Sequence, residues 1–399
     1  MTTSAVLKAS REWRLLWGSG AVSVLGTAVA TFAIPLAIYQ LTRSLAPATW
    51  VMMAGTIAGL VASFLGGAFV DRRSVRGLMI VTNLVQLAAS VLLAVALLAW
   101  HSVIAVAISY MIIRASARLY APASTSLLRD ILPPEILSHA ATLNHARQGV
   151  AAVLGPTIGA SLLGLSVCAP FILDGLSYGV AAVGVVLIGA RPSATEPAAE
   201  PTGGYLNAVY VGLRYVATEA IQLRIISFGA LINLVMPALV VVINLALANA
   251  GVRYLSIGVI DTVAGVATVI GAISASPLRV RLRGRTRIVA PMTVCLGGLA
   301  LITLAGRHLP VIAVGMAMVM LPMPVVTSIA FANIIAITPR HLQGRVSAAG
   351  SFGSSVLAPF GPPLAGASLL VLGDTATRAC LTTLVAIAGA ILLPVATIG

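Results

Sequence analysis

The sequence is poor in charge, and above all in acidic residues. Of its 399 residues, 9% are charged and only ten are Asp or Glu. Soluble globular chains carry roughly 25% charged residues, so the composition excludes a soluble multidomain protein and a disordered one. Apolar residues make up 59% of the chain. They form continuous runs of about 20 residues, which is the length of a helix that crosses a bilayer, and lack the short alternating segments of an outer-membrane barrel.

Cysteine is scarce as well, which excludes two further kinds of site. Cys168, Cys295 and Cys380 are isolated and odd in number, so neither a zinc site nor a disulfide framework is indicated. The five histidines are scattered. There is no phosphate-binding loop and no triad of catalytic side chains. We therefore expect a protein that is not an enzyme and that holds no cofactor, its energy coming from a proton gradient.

The net charge of +14 comes from 23 arginines and one lysine, grouped between the apolar runs. This distribution is typical of basic residues that hold cytoplasmic loops on their own side of a membrane, and it does not indicate nucleic-acid binding. With the N-terminus inside, 17 basic residues fall on the inner side and four on the outer side. The sequence thus predicts that both termini are cytoplasmic, in a bacterial cell membrane.

Twelve apolar spans are predicted, six on either side of a proline-rich segment. The predicted organisation is a six-helix half at 1–190, a cytoplasmic linker with an amphipathic surface helix at 191–222, and a second six-helix half at 223–399. The spans are 16–40, 48–70, 78–99, 103–122, 144–165, 169–190, 223–248, 254–275, 288–306, 310–333, 346–371 and 377–398.

The two halves repeat one another. A loop that opens on Pro134 leads to Gly155-Pro156-Thr-Ile-Gly159, and a loop that opens on Pro339 leads to Gly361-Pro362-Pro-Leu-Ala-Gly366. Two such halves with a site between them at mid-membrane are a transporter architecture.

A motif after the second span gives a resemblance to a known family. Gly67-Ala-Phe-Val-Asp71-Arg72-Arg-Ser-Val-Arg76 is similar to the loop pattern G-x-x-x-D-R-x-x-x-R of the major facilitator superfamily, and the chain resembles its macrolide-efflux and enterobactin-exporter branch. The resemblance implies that Gly67, Asp71, Arg72 and Arg76 form a cytoplasmic gate. The corresponding loop of the second half keeps arginines but has no acid.

A second motif bears on the direction of transport. Gly155, Pro156 and Gly159 resemble the kinked motif g-x-x-x-G-P-x-x-G-G that this family associates with export, with Ala151 and Ala160 in place of two glycines.

Two acids fall inside predicted spans. Asp261 lies near mid-depth in the eighth span and Asp174 in the outer third of the sixth. Ionised carboxylates at such depth are costly and are usually functional. Either acid can serve as a proton carrier, with Arg114 in the fourth span as a counter-charge. The alternative is a structural role, in which neighbouring hydroxyl or amide groups satisfy each acid. Arg118 and Arg147 lie nearer the inner face, where long side chains extend to water.

Neutral polar residues within the spans are candidates for a cavity wall, although helix packing explains them equally well. They are Ser23, Thr27, Thr31, Asn233, Asn244 and Asn333.

The sequence favours an all-α transporter that exports a small, largely hydrophobic compound by proton antiport, with Asp261 as the leading proton carrier. Its partners would be the substrate, protons and the lipid bilayer, with no nucleic acid, and the chain would act as a monomer. A siderophore exporter of the same fold and an uncoupled channel or scaffold are the alternatives.

Overall fold

The structure is a computed structural model that describes residues 11–70, 74–189, 214–282, 284–339 and 342–397. Within these ranges the chain is helical and contains no β-strand. Twelve helical segments are long and apolar enough to cross a bilayer. The predicted all-α membrane fold with twelve spans is therefore confirmed.

The first unit, Met1–Glu200, contains six spanning helices. Helix α1 packs on α5 and α6, α4 packs on α2 and α3, and α3 also packs on α6. The helices are α1 (Arg11–Thr42), α2 (Leu45–Val70), α3 (Val75–Val95, continued by a π-helical turn to Trp100), α4 (Val103–Ile131), α5 (Pro134–Leu165) and α6 (Ala169–Leu187).

The second unit, Pro201–Gly399, also supplies six spans, but two of these are built from two helices each. Its helices are α7 (Ala220–Asn249), α8 (Tyr254–Arg281), α9 (Thr286–Leu304), α10 (Leu309–Met320), α11 (Met323–Ile337), α12 (Gln343–Ser355), α13 (Gly361–Leu372) and α14 (Asp374–Leu392).

Prolines explain why the tenth and eleventh spans are interrupted. Pro322 and Pro324 stand where α10 ends and α11 begins. Pro359 lies in the 3-10 turn Ala358–Phe360 that separates α12 from α13, and Pro362 follows it. Proline has no N–H and its ring clashes with the preceding turn, so each site breaks the helical hydrogen-bond ladder.

Several helices extend beyond the predicted apolar runs. Helix α5 begins at Pro134, although the apolar run was placed from residue 144, and α4 continues to Ile131. Pro134 at the first helical position favours this early start, which hydropathy does not detect. Helix α7 begins at Ala220 and includes Gln222, which the sequence reading placed in the linker. Of the linker predicted at 191–222, residues 191–213 lie outside the described residues and residues 214–218 are helical, so the surface helix as a whole stays a prediction.

The repeated Gly-Pro segments occupy equivalent positions in their own units. A Cβ added to Gly155 would lie 2.6 Å from Ala28 Cβ of α1, and one added to Gly361 would meet Leu234 O of α7. In each unit, therefore, the fifth span packs through its glycine against the first span. Glycine is required at both places because the helix backbones approach closely.

Large apolar side chains are exposed along both units. Leu165 is 82% exposed and Leu304 is 84% exposed. An apolar surface of this extent suits contact with lipid rather than with water.

Candidate functional site

Asp174 lies in a hydroxyl-lined cluster inside the first unit. It is 2% exposed on α6. Thr27 Oγ1 of α1 donates to Asp174 Oδ1 at 3.4 Å, and the hydroxyl groups of Thr27 and Tyr178 are 2.9 Å apart. If Thr27 donates to the carboxylate, Tyr178 must donate to Thr27. The three side chains then form a chain of hydrogen bonds that ends on the carboxylate.

A glycine brings this cluster together. A Cβ added to Gly26 of α1 would lie 2.8 Å from Ser177 Cβ and 3.2 Å from the Cα of Asp174. Because Gly26 has no side chain, α1 can approach α6 closely enough for the neighbouring Thr27 to reach the carboxylate.

A small cavity of about 20 Å³ adjoins the cluster. Asp174, Thr27 and Thr31 line it on one side, with Arg114 and Tyr110 of α4 on the other. The lining is otherwise largely apolar, and the space has room for about one water molecule, for which these polar side chains are the hydrogen-bond partners. The Arg114 guanidinium carbon lies 6.0 Å from the centre of the Tyr110 ring, at the outer limit of a cation–π contact. The structure thus brings together four of the predicted residues, Asp174, Thr27, Thr31 and Arg114.

Asp261 forms a separate pair in the second unit. Asn244 Nδ2 of α7 donates to Asp261 Oδ2 of α8 at 2.7 Å, and Asn244 is 2% exposed. Asp261 Oδ1 and Asn244 Oδ1 are both buried and have no hydrogen-bond partner among the described residues. Both of these oxygens are acceptors when the carboxyl group is ionised. The pair therefore lacks a donor.

The predicted cytoplasmic gate is only partly described. Asp71 and Arg72 lie outside the described residues, and Gly67 lies near the end of α2. Arg76 donates from Nε to Val185 O at 3.2 Å and from a terminal nitrogen to Val186 O at 2.7 Å. It thereby caps the last carbonyl groups of α6, where a cation also interacts favourably with the helix dipole. Its gating role stays a prediction.

Pro156, in the predicted export motif, lies within α5, which remains helical from Pro134 to Leu165. A Cβ on Gly159 would lie 2.8 Å from Val29 O and 3.1 Å from Phe32 of α1. The motif glycines therefore serve as a packing surface for α1, and the expected kink stays a prediction.

The remaining polar candidates are dispersed. Asn233 donates to Gly229 O of its own helix and to Ser354 O of α12, at 2.9 and 3.1 Å. Asn333 donates to Ile329 O of its own helix at 3.0 Å. Ser23 is half-buried on α1 and does not line the cavity beside Asp174.

The second unit also contains a cavity of about 470 Å³ between α11 and α12. Its apolar side chains include Phe331, Ile334 and Val346, and none of the described residues that line it is charged. The polar side is formed by Thr338, Gln343 and a row of serines on α12, namely Ser347, Ser351, Ser354 and Ser355. Spans ten and eleven are both interrupted by proline. Helix α11 therefore begins inside the tenth span, and α12 ends inside the eleventh.

Sequence reasoning missed several buried polar contacts. Tyr178 lies four residues after Asp174, so helical spacing alone places both on one face of α6. Gln222, fully buried, donates from Nε2 to Thr338 Oγ1 at 3.0 Å. Arg378, counted among the four basic residues of the outer side, is 2% exposed on α14 and pairs with Asp374 at 2.6 Å. The four-residue spacing of Asp374 and Arg378 is that of an ion pair within one helix and could have predicted their contact, whereas no sequence pattern indicates the contact between Gln222 and Thr338.

Twelve spans in two six-helix units, with an acid buried in each, define a polytopic membrane protein of the transporter type. The sequence model of the Major Facilitator Superfamily matches residues 16–362, so the chain belongs to that family. No curated protein sequence matches the chain.

Solved structures agree on the fold. A bacterial homologue of the iron transporter ferroportin, inward-facing, has a TM-score of 0.69 at 14% identity, over 95% of this chain and 98% of that one. A D-xylose–proton symporter has a TM-score of 0.74 at 11% identity, over 95% and 96%. The nucleoside transporter NupG has a TM-score of 0.75 at 11% identity, over 96% and 98%. At these identities the likeness shows the fold alone.

Proposed function

We propose that this chain is a secondary transporter that exports a small, largely hydrophobic organic compound, such as a drug or natural product, in exchange for protons. It would act by alternating access in a bacterial cytoplasmic membrane, with both termini inside. The transporter family is established by the sequence match, whereas the coupling, the substrate and the direction are the proposal.

The pair formed by Asp261 and Asn244 carries the proposal. An ionised Asp261 leaves two buried acceptor oxygens without a donor, one on each residue. Burying polar groups without hydrogen bonds is unfavourable, and more so for a charge. A proton on Asp261 turns one carboxyl oxygen into a donor and removes the charge. Loss of that proton must therefore be offset by another event, such as substrate binding or a change of conformation, and this is what coupling requires.

Asp174 supports the same reasoning in the first unit. Its described hydrogen-bond partners are neutral hydroxyl groups, and the adjoining cavity has room for about one water molecule. Arg114 lines that cavity and supplies the nearby counter-charge. We assign Asp261 the coupling proton and give Asp174 and Arg114 a modulating role.

The cavity between α11 and α12 supports a neutral, amphipathic substrate. Its volume of about 470 Å³ falls in the range of small-molecule pockets, and it combines an apolar wall with a few polar groups. A siderophore carrying negative charge would need cationic side chains, and the described lining of this cavity contains none. The direction of transport rests on the resemblance of Gly155, Pro156 and Gly159 to the export motif.

The test is efflux of a lipophilic dye from cells that express the chain, with and without a protonophore. We compare the wild type with Asp261→Asn, and with Asp130→Asn as a control that makes the same chemical change at the end of α4. The proposal expects efflux that the protonophore abolishes and that Asp261→Asn lacks, while Asp130→Asn retains it. Efflux that persists in Asp261→Asn would remove that residue from the coupling step.

A further inference from the structure

A second polar cavity lies at the end of the first unit where α1 begins. It measures about 30 Å³ and is bounded by the start of α1, the end of α4 and the first half of α5. Its polar lining comes from Trp17, Ser124, Thr125, Asn144 and Arg147. None of these residues takes part in the proton-coupling mechanism proposed above.

Two hydrogen-bond donors in this lining have no acceptor. Trp17 Nε1 and Arg147 Nε are both buried, and neither has a partner among the described residues. One terminal nitrogen of Arg147 donates to Trp17 O at 3.3 Å. No carboxylate of the described chain forms an ion pair with Arg147. The guanidinium group is thus a half-buried positive charge without a counter-charge.

The chemistry of the missing partner follows from these atoms. Tryptophan and arginine side chains donate hydrogen bonds and accept none, so only an acceptor atom can satisfy both. Since one donor is charged, an anionic oxygen fits better than a neutral one, because charge-assisted hydrogen bonds are the stronger kind. The planar guanidinium group is particularly suited to phosphate.

The surroundings hold the guanidinium group inside the unit. A Cβ added to Gly20 of α1 would lie 2.5 Å from a terminal nitrogen of Arg147. Glycine at this position therefore leaves the space that the guanidinium group occupies. The sequence reading expected Arg147 to extend toward water, whereas the structure turns it against α1.

We propose that this cavity binds one oxygen of a phosphate group through Arg147 and Trp17. The cavity is large enough for an oxygen or two and too small for a whole phosphate, so the rest of the anion lies at its mouth. The phosphate belongs either to a lipid headgroup or to a soluble ion. Basic pockets between spanning helices bind anionic headgroups in this way. The inference does not depend on the proposed export function.

The experiment uses the full-length chain, purified in detergent and freed of lipid. Native mass spectrometry measures binding of phosphatidylglycerol, of diacylglycerol, which has no phosphate, and of inorganic phosphate. Arg147→Gln removes the charge, and Trp17→Phe removes the N–H while keeping an aromatic ring. The control is Arg129→Gln, which loses the same charge at an exposed position in the last turn of α4.

We expect one tightly bound phosphatidylglycerol in the wild type and in Arg129→Gln. Loss of a charge-assisted hydrogen bond weakens binding about tenfold or more in Arg147→Gln, and loss of one neutral donor gives a several-fold effect in Trp17→Phe. If inorganic phosphate displaces the lipid, the natural ligand is the soluble ion, and if it does not, the ligand is the headgroup.

Two results would overturn the proposal. Diacylglycerol binding as tightly as phosphatidylglycerol would show that phosphate is not recognised. Equal losses in Arg147→Gln and Arg129→Gln would show that only the overall charge matters, and that water fills the cavity.

Discussion

Asn244 offers the sharpest test of how Asp261 binds its proton. In Asn244→Leu the hydrogen bond from Nδ2 to the carboxylate, 2.7 Å long, is lost, while a side chain of similar size remains. A hydrogen bond to a charged group contributes about 1.5–3 kcal/mol. At 1.4 kcal/mol for each factor of ten, the ionised state of Asp261 becomes about 10–150-fold rarer. Release of the proton then becomes the slow step of the cycle.

The assay is dye efflux from proteoliposomes with an imposed pH gradient, measured at several pH values. We expect the rate of Asn244→Leu at neutral pH to fall about tenfold or more, in line with the lost hydrogen bond, and to recover in part at higher pH. The recovery follows because a higher pH favours the ionised carboxylate that the lost donor had stabilised.

The control is Asn83→Leu, which removes an equally buried amide. Asn83 Nδ2 donates at 2.9 Å to Met79 O of its own helix and lies far along the chain from Asp261. Wild-type rates with an unchanged pH profile in Asn244→Leu would refute the reasoning. Equal losses in both variants would also refute it, because a general effect on folding would then explain the result.

Three further predictions concern packing and the substrate. Gly26→Leu drives α1 from α6, because even a Cβ comes within 3.2 Å of the Asp174 backbone. We expect a loss of stability of about 1–3 kcal/mol in thermal unfolding, typical of overpacking. Arg378→Met removes the buried donor to the Ile302 carbonyl and should destabilise by about 1–3 kcal/mol in the same assay, whereas the partly exposed Asp374 stays solvated and adds little. Ser351→Phe fills the cavity between α11 and α12, and binding of a neutral amphipathic dye, measured by fluorescence, should weaken about tenfold or more since the pocket is lost.

Each of these three predictions has a control variant whose result could contradict it. Gly18 of α1 has nothing within 4 Å of an added Cβ, so a comparable loss in Gly18→Leu would contradict the packing argument. If Arg378→Met combined with Asp374→Leu recovers the lost stability, the unpaired acid and not the Ile302 carbonyl is the cause, which would contradict the prediction. The Ser368 hydroxyl group of α13 donates to Leu364 O of its own helix and does not line the cavity. Equally weak dye binding in Ser368→Phe would show that filling the cavity is not the cause of the loss.

The twelve spans could be predicted because hydropathy is a local property. Each bilayer-spanning helix satisfies its own backbone, so a run of apolar residues specifies it without reference to its neighbours. The ends of helices were predicted less well. Helix α5 begins ten residues before its apolar run, in turns that carry Glu135, Ser138 and His139, and Gln222 in the first turn of α7 is buried where Thr338 of another helix accepts its hydrogen bond.

For the candidate sites too, positions within one helix could be predicted, whereas contacts between helices could not. The depth of Asp174 and Asp261 in their spans follows from counting residues, and so does the position of Tyr178 one turn after Asp174. The hydrogen-bond partners of the two acids do not follow from the sequence. Thr27 is 147 positions from Asp174, and Asn244 is one of several intramembrane amides until the structure places it on Asp261.

The sequence by itself determined the membrane class, the number of spans, the internal repeat and the residues whose charge is costly in a bilayer. These properties depend on composition and on spacing within one helix. Only the tertiary structure decided that Arg378 is buried and that Arg147 turns against Gly20. It also decided that Asp261 and Asn244 each keep one buried oxygen to which no described group donates a hydrogen bond. Such features depend on which helix faces meet. That is settled by close packing between segments far apart in the chain, and no local pattern records it.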